Sequence, residues 1–174
     1  MNISDLLKDP NKIKKVLWKA ITSEKRKLAE MLIPIVKDPG LTYEYAYYIT
    51  RGKVKDEFED IIAQSEKVSY DYASFVLKGP FPRGENTLAQ DSNYAYLYAR
   101  DIIKGPWPKG EPTIATDFWS SNRYAQDVLK DRFIKGEDAI INSPKKRYFE
   151  DYINFLKSIN KLDEFLKDHP EVKL

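Results

Sequence analysis

Apolar residues follow one another along much of the chain at the spacing of a helix. Tyr94, Tyr98 and Ile102, for example, lie four residues apart, with a small alanine directly after each tyrosine. A series at i, i+4 and i+8 places side chains on one face of a helix, whereas a strand alternates apolar and polar positions. The pattern predicts a helix that begins after Asp91, a good N-cap residue, and ends near Lys104, before a Gly-Pro pair.

This pattern returns at intervals of 26 residues. Each copy contains a loop with glycine and basic residues, a short helix A that opens on Glu, and a longer helix B that carries the tyrosine. The repeated residues are Gly84, Gly110 and Gly136 in the loops, Leu88, Ile114 and Ile140 in helix A, and Tyr72, Tyr98 and Tyr124 with Ala73, Ala99 and Ala125 in helix B. Repetition at this period is typical of proteins built from stacked helical units.

Weaker copies extend the repeat toward both ends. Tyr45 precedes Tyr72 by 27 residues, and helices with apolar faces are predicted after Asp9 and Ser143. Terminal copies of a stacked array must be atypical, because each has one face without a neighbour. We predict an all-α fold, a short α-solenoid of about five to six helix pairs with atypical capping helices at both ends. The single domain would span 1–174, with a basic cap and degenerate repeats over 1–40, repeats over 41–142 and C-terminal cap helices over 143–174.

Charged residues in the loops form rows when the copies are aligned. The rows are Lys78, Lys104 and Lys130; Arg83, Lys109 and Lys135; and Glu85, Glu111 and Glu137. The two basic rows could form a stripe that binds phosphates or nucleic acid. Alternatively, each cation pairs with a Glu of the same or the next copy, which gives a solvated ladder of charges and favours no ligand.

Aromatic residues occupy one position in each loop, at Phe81, Trp107 and Phe133. If they are exposed, these rings could stack on bases or serve as binding hot spots. Their regular spacing favours a buried position in the seam between adjacent copies.

One copy departs from the pattern at the start of helix B. Phe118 and Trp119 stand where other copies have polar residues or proline, and Ser120 to Arg123 replaces an aromatic stretch. This irregularity indicates a partner-binding site formed by Phe118, Trp119, Asn122 and Arg123. The alternative is compensating repacking, in which the two rings fill the volume that the missing tyrosines vacate.

Composition narrows the classes of function. The chain of 174 residues has no Cys, one His and a net charge of +2, although residues 1–40 carry an excess of Lys and Arg. We predict no catalytic residues, no metal site and no cofactor, because His169 lies beside Pro170 in a tail expected to be disordered and no nucleotide-binding motif is present. Neither a membrane span nor a signal peptide is apparent, which suggests a soluble cytoplasmic protein.

The stretch from Tyr94 to Ala115 resembles a degenerate helical repeat of uncharacterised proteins of bacteriophages and large DNA viruses. The likeness covers residues 70–140 best. It implies a viral origin, expression in the cytoplasm of an infected host cell and a host or viral protein as partner; it supplies no catalytic residues.

Three functions therefore remain open. The leading one is a non-catalytic protein–protein interaction module that binds or inhibits a host protein. The second is nucleic-acid binding through the basic rows and the basic N-terminal helices. The third is a metal-dependent enzyme that uses carboxylates alone. The sequence leaves the oligomeric state undetermined.

Overall fold

The computed structural model describes residues 9–173, and every regular element in this part of the chain is helical. This confirms the predicted all-α class. The chain divides into two compact units, Met1–Leu88 and Ala89–Leu174. Residues 1–8, the start of the predicted N-terminal cap, lie outside the described residues.

Residues 9–88 of the first unit form six α-helices, of which two continue directly into a π-helical segment. They are α1 (Pro10–Thr22), α2 (Arg26–Val36), α3 (Pro39–Glu44, then π-helical over Tyr45–Thr50), α4 (Asp56–Ile62), α5 (Glu66–Asp71, then π-helical over Tyr72–Leu77) and α6 (Glu85–Leu88). A 3₁₀ turn over Pro82–Gly84 leads into α6. Helix B of the two copies in this unit is formed by α3 and α5.

The second unit repeats the arrangement and ends in two further helices. Its elements are α7 (Ser92–Tyr98, then π-helical over Ala99–Ile103), α8 (Glu111–Ile114), α9 (Phe118–Arg123, then π-helical over Tyr124–Leu129), α10 (Glu137–Ile141), α11 (Lys146–Ser158) and α12 (Leu162–Asp168). A 3₁₀ turn over Ile134–Gly136 leads into α10. Helix α11 starts two residues after the predicted Ser-Pro pair and has no side-chain cap.

Aspartate caps begin several of the helices. The carboxylates of Asp91 and Asp117 accept hydrogen bonds from the backbone N–H of Tyr94 at 2.9 Å and of Ser120 at 2.7 Å. Asp9 caps α1 in the same way. An N-cap side chain satisfies a backbone donor that the first turn leaves without a partner, so these boundaries follow from local sequence and confirm the predicted helix starts.

Each helix B ends in a π-helical turn followed by a basic residue in the left-handed conformation. Arg51, Lys78, Lys104 and Lys130 have φ between 52° and 59°. The next N–H, that of Gly105, bonds to the carbonyl of Ala99 at 3.2 Å and closes the helix end. The helix ends near Lys104, as predicted, but the lysine and not the following glycine adopts the left-handed conformation. This conformation carries a steric cost for any residue with a Cβ atom.

We expect Lys104→Gly to raise the free energy of unfolding by about 0.5–1 kcal/mol, because glycine reaches this conformation without a Cβ clash. The same exchange at Lys15, an exposed residue within α1, should instead lower it by about 1 kcal/mol. Urea denaturation of both variants measures the two changes in the free energy of unfolding, which should have opposite signs. A loss at Lys104 would mean that its side chain makes a contact that outweighs the strain.

Three of the predicted columns form the core. The tyrosines, alanines and helix A aliphatic residues are completely buried, namely Tyr72, Tyr98 and Tyr124; Ala73, Ala99 and Ala125; and Leu88, Ile114 and Ile140. Aliphatic residues of the π-helical turns, such as Val76 and Ile102, are only half-buried, because they lie in the last turn of the helix, where the chain leaves the core.

The loop aromatics lie in the core, as their spacing predicted. Phe81, Trp107 and Phe133 are 1%, 6% and 3% exposed. Their rings pack on the tyrosine of the preceding helix B, with centroids 5.0, 4.9 and 4.9 Å away. The backbone N–H of Trp107 donates to the hydroxyl of Tyr124, 2.8 Å away. The ring of Trp107 thus packs on one helix B while its backbone bonds to the next.

The repeated loop glycine makes room for this ring. A Cβ atom on Gly110 would overlap the Trp107 ring and approach the Cβ of Ala95 to 3.1 Å. Its φ of −87° is ordinary, so the position requires a small residue and not an unusual backbone conformation. Gly84 and Gly136 meet Phe81 and Phe133 in the same way.

The copy before Gly84 supplies its ring from a different position. The backbone N–H of Val54 donates to the Tyr72 hydroxyl, as that of Trp107 does to Tyr124. Phe58 precedes the Glu in the place of the glycine. The Phe58 ring is buried and meets Tyr45 edge-on at 5.9 Å. A tyrosine–phenylalanine pair is therefore kept although the sequence motif is lost.

Candidate functional site

The second basic row is engaged in ion pairs. Arg83 contacts Asp56 at 2.5 Å and Asp60 at 2.6 Å, and Lys135 contacts Glu111 at 2.7 Å. These contacts match the ladder of charges that we considered as the alternative to a phosphate-binding stripe. The neighbouring carboxylates offset the positive potential that a phosphate would meet at these cations. Lys109, the remaining member of the row, is exposed.

The first basic row occupies the helix ends described above. Lys78, Lys104 and Lys130 are exposed, and no carboxylate of residues 9–173 lies within 4.0 Å of their amines. The left-handed backbone fixes where each of these side chains leaves its helix. These three lysines are the part of the basic rows whose charge is available to a ligand.

A groove of about 430 Å³ lies between α9 and α11 and contains three of the four predicted binding residues. Its lining comprises Trp119, Asn122, Arg123, Gln126, Tyr148, Asp151, Asn154, Phe155 and Ser158. Aromatic rings, an arginine and amide groups together are typical of protein-binding surfaces. Arg123 is exposed and forms no ion pair with the described residues.

Both irregular aromatics also have packing partners, as the repacking alternative required. Trp119 meets the ring of Tyr96 edge-on, with centroids 5.5 Å apart. Phe118 packs against Tyr148 at 5.0 Å. Both side chains are half-buried and keep part of their surface accessible. Trp119 therefore combines a fixed orientation with an accessible face, whereas Phe118 supports Tyr148.

Asn122 has a structural role in this groove. It is 4% exposed, and its side-chain NH₂ donates to the backbone carbonyl of Tyr148 at 3.1 Å. Its carbonyl accepts a hydrogen bond from Gln126. Both ends of the amide are engaged, so Asn122 connects α9 to α11 and positions Trp119 and Arg123 beside it.

The equivalent groove of the first unit has a different lining, which the sequence analysis missed. A groove of about 480 Å³ lies between α3 and α5, and its lining includes Tyr47, Tyr48 and Phe75. At the equivalent positions, later copies carry Arg100, Asp101, Gln126 and Asp127. With Trp18 of a neighbouring groove of about 430 Å³, these rings form an aromatic surface made of Trp18, Tyr43, Tyr47, Tyr48 and Phe75. Aromatic residues at normally polar positions of the repeat were the signal that could have identified it.

Tyrosine hydroxyls connect helix B to the loop and helix A of the same copy. The hydroxyl of Tyr124 accepts from the N–H of Trp107 and donates to Glu111 at 3.1 Å. Tyr72 binds the N–H of Val54 and Glu59 in the same manner, each at 3.0 Å. Burial raises the pKa of Tyr124 to about 12 and also raises that of Tyr72, so both stay neutral donors.

A buried polar cluster surrounds Glu137 in the second unit. The carboxylate is fully buried and receives two hydrogen bonds from Arg132, at 2.8 and 2.7 Å, and one from Tyr152 at 2.8 Å. His169 lies 3.0 Å away, and Asp168 contacts Arg132 at 2.8 Å. The expectation that His169 sits in a disordered tail was wrong: its ring packs on Phe165 and it joins a cluster 32 residues away in sequence.

No helix within residues 9–173 combines the length and apolar character needed to cross a bilayer. In the same part of the chain, no three His, Asp or Glu side chains are grouped so that they could hold a metal ion. No protein-family model, curated protein or solved structure matches the chain.

Proposed function

We propose that this protein is a non-catalytic interaction module that binds a protein partner through the grooves between consecutive B helices. The observation that carries the proposal is the contrast between constant and variable positions of the repeat. Core residues recur from copy to copy, whereas the groove positions change from Glu44 and Tyr47 to Arg123 and Gln126. Repeat proteins use such variable faces, held by a constant core, to recognise partners.

The α9–α11 groove is the first candidate contact. Trp119 offers a half-buried ring that packs edge-on against Tyr96, and Arg123 offers a guanidinium with no carboxylate partner among the described residues. A preorganised Trp beside an Arg is typical of binding hot spots. The partner would be a host or viral protein, in keeping with the resemblance of the repeat to viral proteins.

The scaffold that we propose is a short α-solenoid with atypical capping helices. Its support is the recurrence of one local unit, in which a loop aromatic packs on the tyrosine of one helix B and a glycine beside it makes room. The Tyr–Glu hydrogen bond fixes the same geometry in each unit. Small-angle X-ray scattering of the purified protein would distinguish an elongated array from two globular units.

Nucleic-acid binding is the second candidate function. The observation that favours it is the exposed position of Lys78, Lys104 and Lys130, which have no carboxylate partner within residues 9–173. The ion pairs of Arg83 and Lys135 weaken it, since those charges are already compensated. Binding of this kind should fall steeply with salt.

We expect Trp119→Ala to reduce affinity for the protein partner by at least about 30-fold, as for a typical hot-spot tryptophan. Arg123→Ala, at an exposed position, should weaken binding and leave the fold unchanged. The measurement is capture of partners by the tagged protein from host-cell lysate, with and without nuclease. Lys167→Ala, an exposed change on α12, is the control.

Two results would contradict this proposal. Capture that disappears after nuclease treatment would transfer the function to nucleic-acid binding. Capture that survives nuclease and is equal for Arg123→Ala, Trp119→Ala and the Lys167→Ala control would remove the α9–α11 groove as the contact.

A further inference from the structure

We propose that the aromatic surface of the first unit binds an arginine side chain of a partner protein, with Glu44 as the carboxylate that receives the guanidinium. The choice of a protein as the partner rests on the proposed protein-binding role. Its residues, all within Met1–Leu88, are separate from the α9–α11 groove, so the two can be tested independently.

Four aromatic rings of this surface are exposed to solvent. Trp18, Tyr47, Tyr48 and Phe75 are 53%, 43%, 59% and 57% exposed. Tyr47 meets Tyr48 at 5.0 Å in an edge-on contact and lies 5.9 Å from Tyr43. A run of exposed aromatic residues on a folded unit marks an interaction surface more often than an isolated one does. Ring faces open to solvent attract cations.

Glu44 and Tyr48 each line both grooves, and the Glu44 side chain is half-buried. Glu44 has no hydrogen bond and no ion pair with any described residue. The nearby carboxylates differ, since Asp71 is paired with Lys67 at 2.5 Å and Asp38 with Lys14 at 2.8 Å. Among the described residues that line the grooves, Glu24 and Glu44 are therefore the carboxylates without a cation, and Glu44 is the half-buried one of the two.

Burial, and then repulsion by Asp38, raises the pKa of the Glu44 carboxyl. Both effects disfavour the ionised form, and a cation placed beside the carboxylate would reverse them. A half-buried acid with a raised pKa in a groove is a common property of binding sites.

The charges that face the two grooves select a cation over an anion. Glu24, Glu44 and Arg51 line one groove, and Glu44, Lys67 and Asp71 line the other. Lys67 and Asp71 compensate each other at 2.5 Å. Two carboxylates then face the single guanidinium of Arg51, so a phosphate-bearing ligand is disfavoured and a basic protein segment is favoured.

Arginine fits this combination better than lysine does. Its planar guanidinium can stack on a tyrosine or tryptophan face while two N–H groups bind one carboxylate. A lysine ammonium is strongly hydrated and presents no flat face. The occupant is therefore an arginine in an exposed segment of the partner.

A titration with synthetic peptides tests the assignment. The probes are N-acetyl-Gly-Arg-Gly-amide and the same peptide with citrulline, which is neutral and nearly isosteric. In ¹⁵N NMR spectra, the arginine peptide should shift the indole N–H of Trp18 and the amide signals of Tyr47 and Tyr48 in a saturable manner. The citrulline peptide should bind at least about fivefold more weakly.

Two charge-removing variants separate the site from the net charge. Glu44→Gln should weaken binding of the arginine peptide by about fivefold as well, because the carboxylate is lost while the side-chain volume is kept. Glu57→Gln removes an equal charge at an exposed position outside both grooves and should leave affinity unchanged. Thermal denaturation checks that both variants are folded.

Several outcomes would overturn the proposal. These are equal binding of the arginine and citrulline peptides, the absence of a saturable shift, or equal effects of Glu44→Gln and Glu57→Gln. If oligothymidine shifts the same signals, the surface is assigned to nucleic acid. If the signals shift when only the protein concentration is raised, the surface is assigned to a second copy of the chain. None of these results bears on Trp119 or Arg123, whose variants test the proposed function separately.

Discussion

Glu137→Ala is expected to lower the free energy of unfolding by about 3–5 kcal/mol, one of the two largest effects of a single substitution in this chain. The change would remove both Glu137 oxygens from the guanidinium of Arg132, whose side chain is 7% exposed, and leave it with the largely exposed carboxylate of Asp168, 2.8 Å away. It would also leave the buried hydroxyl of Tyr152 without an acceptor. Removing one member of a buried ionic cluster costs more than the cluster contributes, because the remaining charge stays desolvated.

Urea denaturation at neutral pH measures this loss. Glu150→Ala, an exposed change on α11, is the control and should stay within about 0.5 kcal/mol of the native chain. A loss below 1 kcal/mol for Glu137→Ala would mean that water reaches Arg132 once the carboxylate is gone.

The same cluster makes stability depend on pH. Burial alone would raise the pKa of Glu137, but hydrogen bonds from Arg132, His169 and Tyr152 outweigh it and lower the pKa below the usual 4.5. A carboxyl with a lowered pKa contributes stability that is present above pH 4.5 and is lost as the pH falls further. Glu137→Gln, which cannot ionise, should therefore show a smaller loss of stability than the native chain when the pH is lowered below 4.5.

Trp107→Ala and Gly110→Ala should each destabilise the second unit, yet the double variant should be about as stable as Trp107→Ala alone. The ring deletion is expected to cost about 3–5 kcal/mol through lost burial and the cavity left behind. The added methyl group on Gly110 should cost about 1–3 kcal/mol, because it overlaps the ring. Once the ring is gone, the methyl group enters the vacated space.

The measurement is a double-mutant cycle by chemical denaturation, with an expected coupling of about 1–3 kcal/mol. Gly105→Ala is the matched control, since a Cβ atom there meets nothing within 4 Å. Additive losses for Trp107→Ala and Gly110→Ala would mean that the glycine is required for a reason other than the ring.

Local chemistry explains what the sequence could predict. A cap such as Asp117 needs only its own helix, and the burial of Trp107 follows from the recurrence of an apolar ring at the same loop position in three copies. For the same reason the all-α class and the helix A and helix B boundaries could be predicted to within a few residues. The left-handed lysines could not, because their backbone depends on the π-helical turn before them, for which no residue type is a reliable signal.

Contacts between distant residues explain what was missed. His169 joins Glu137 across 32 residues, and no local pattern records that contact. The aromatic surface was missed for a different reason, since Tyr47 and Tyr48 follow the core pair Tyr45-Ala46 and resemble the tyrosine column. For the α9–α11 groove, the break in the repeat correctly brought Trp119 and Arg123 together, but it could not reveal that Asn122 is bonded on both sides.

The bond between the tyrosine and the glutamate of one copy also limits how such a gene can change by recombination. The two partners are 13 residues apart in Glu59–Tyr72 and Glu111–Tyr124, and 15 apart in Glu137–Tyr152. A breakpoint inside such an interval would leave a carboxylate with no hydroxyl to bind it. A breakpoint within residues 125–132 lies between the pairs Glu111–Tyr124 and Glu137–Tyr152 and separates neither. The ring contact across such a breakpoint is kept, because each loop aromatic packs on an equivalent tyrosine. Copies can thus be gained or lost as whole exchangeable cassettes, while the residues on their outer faces diverge.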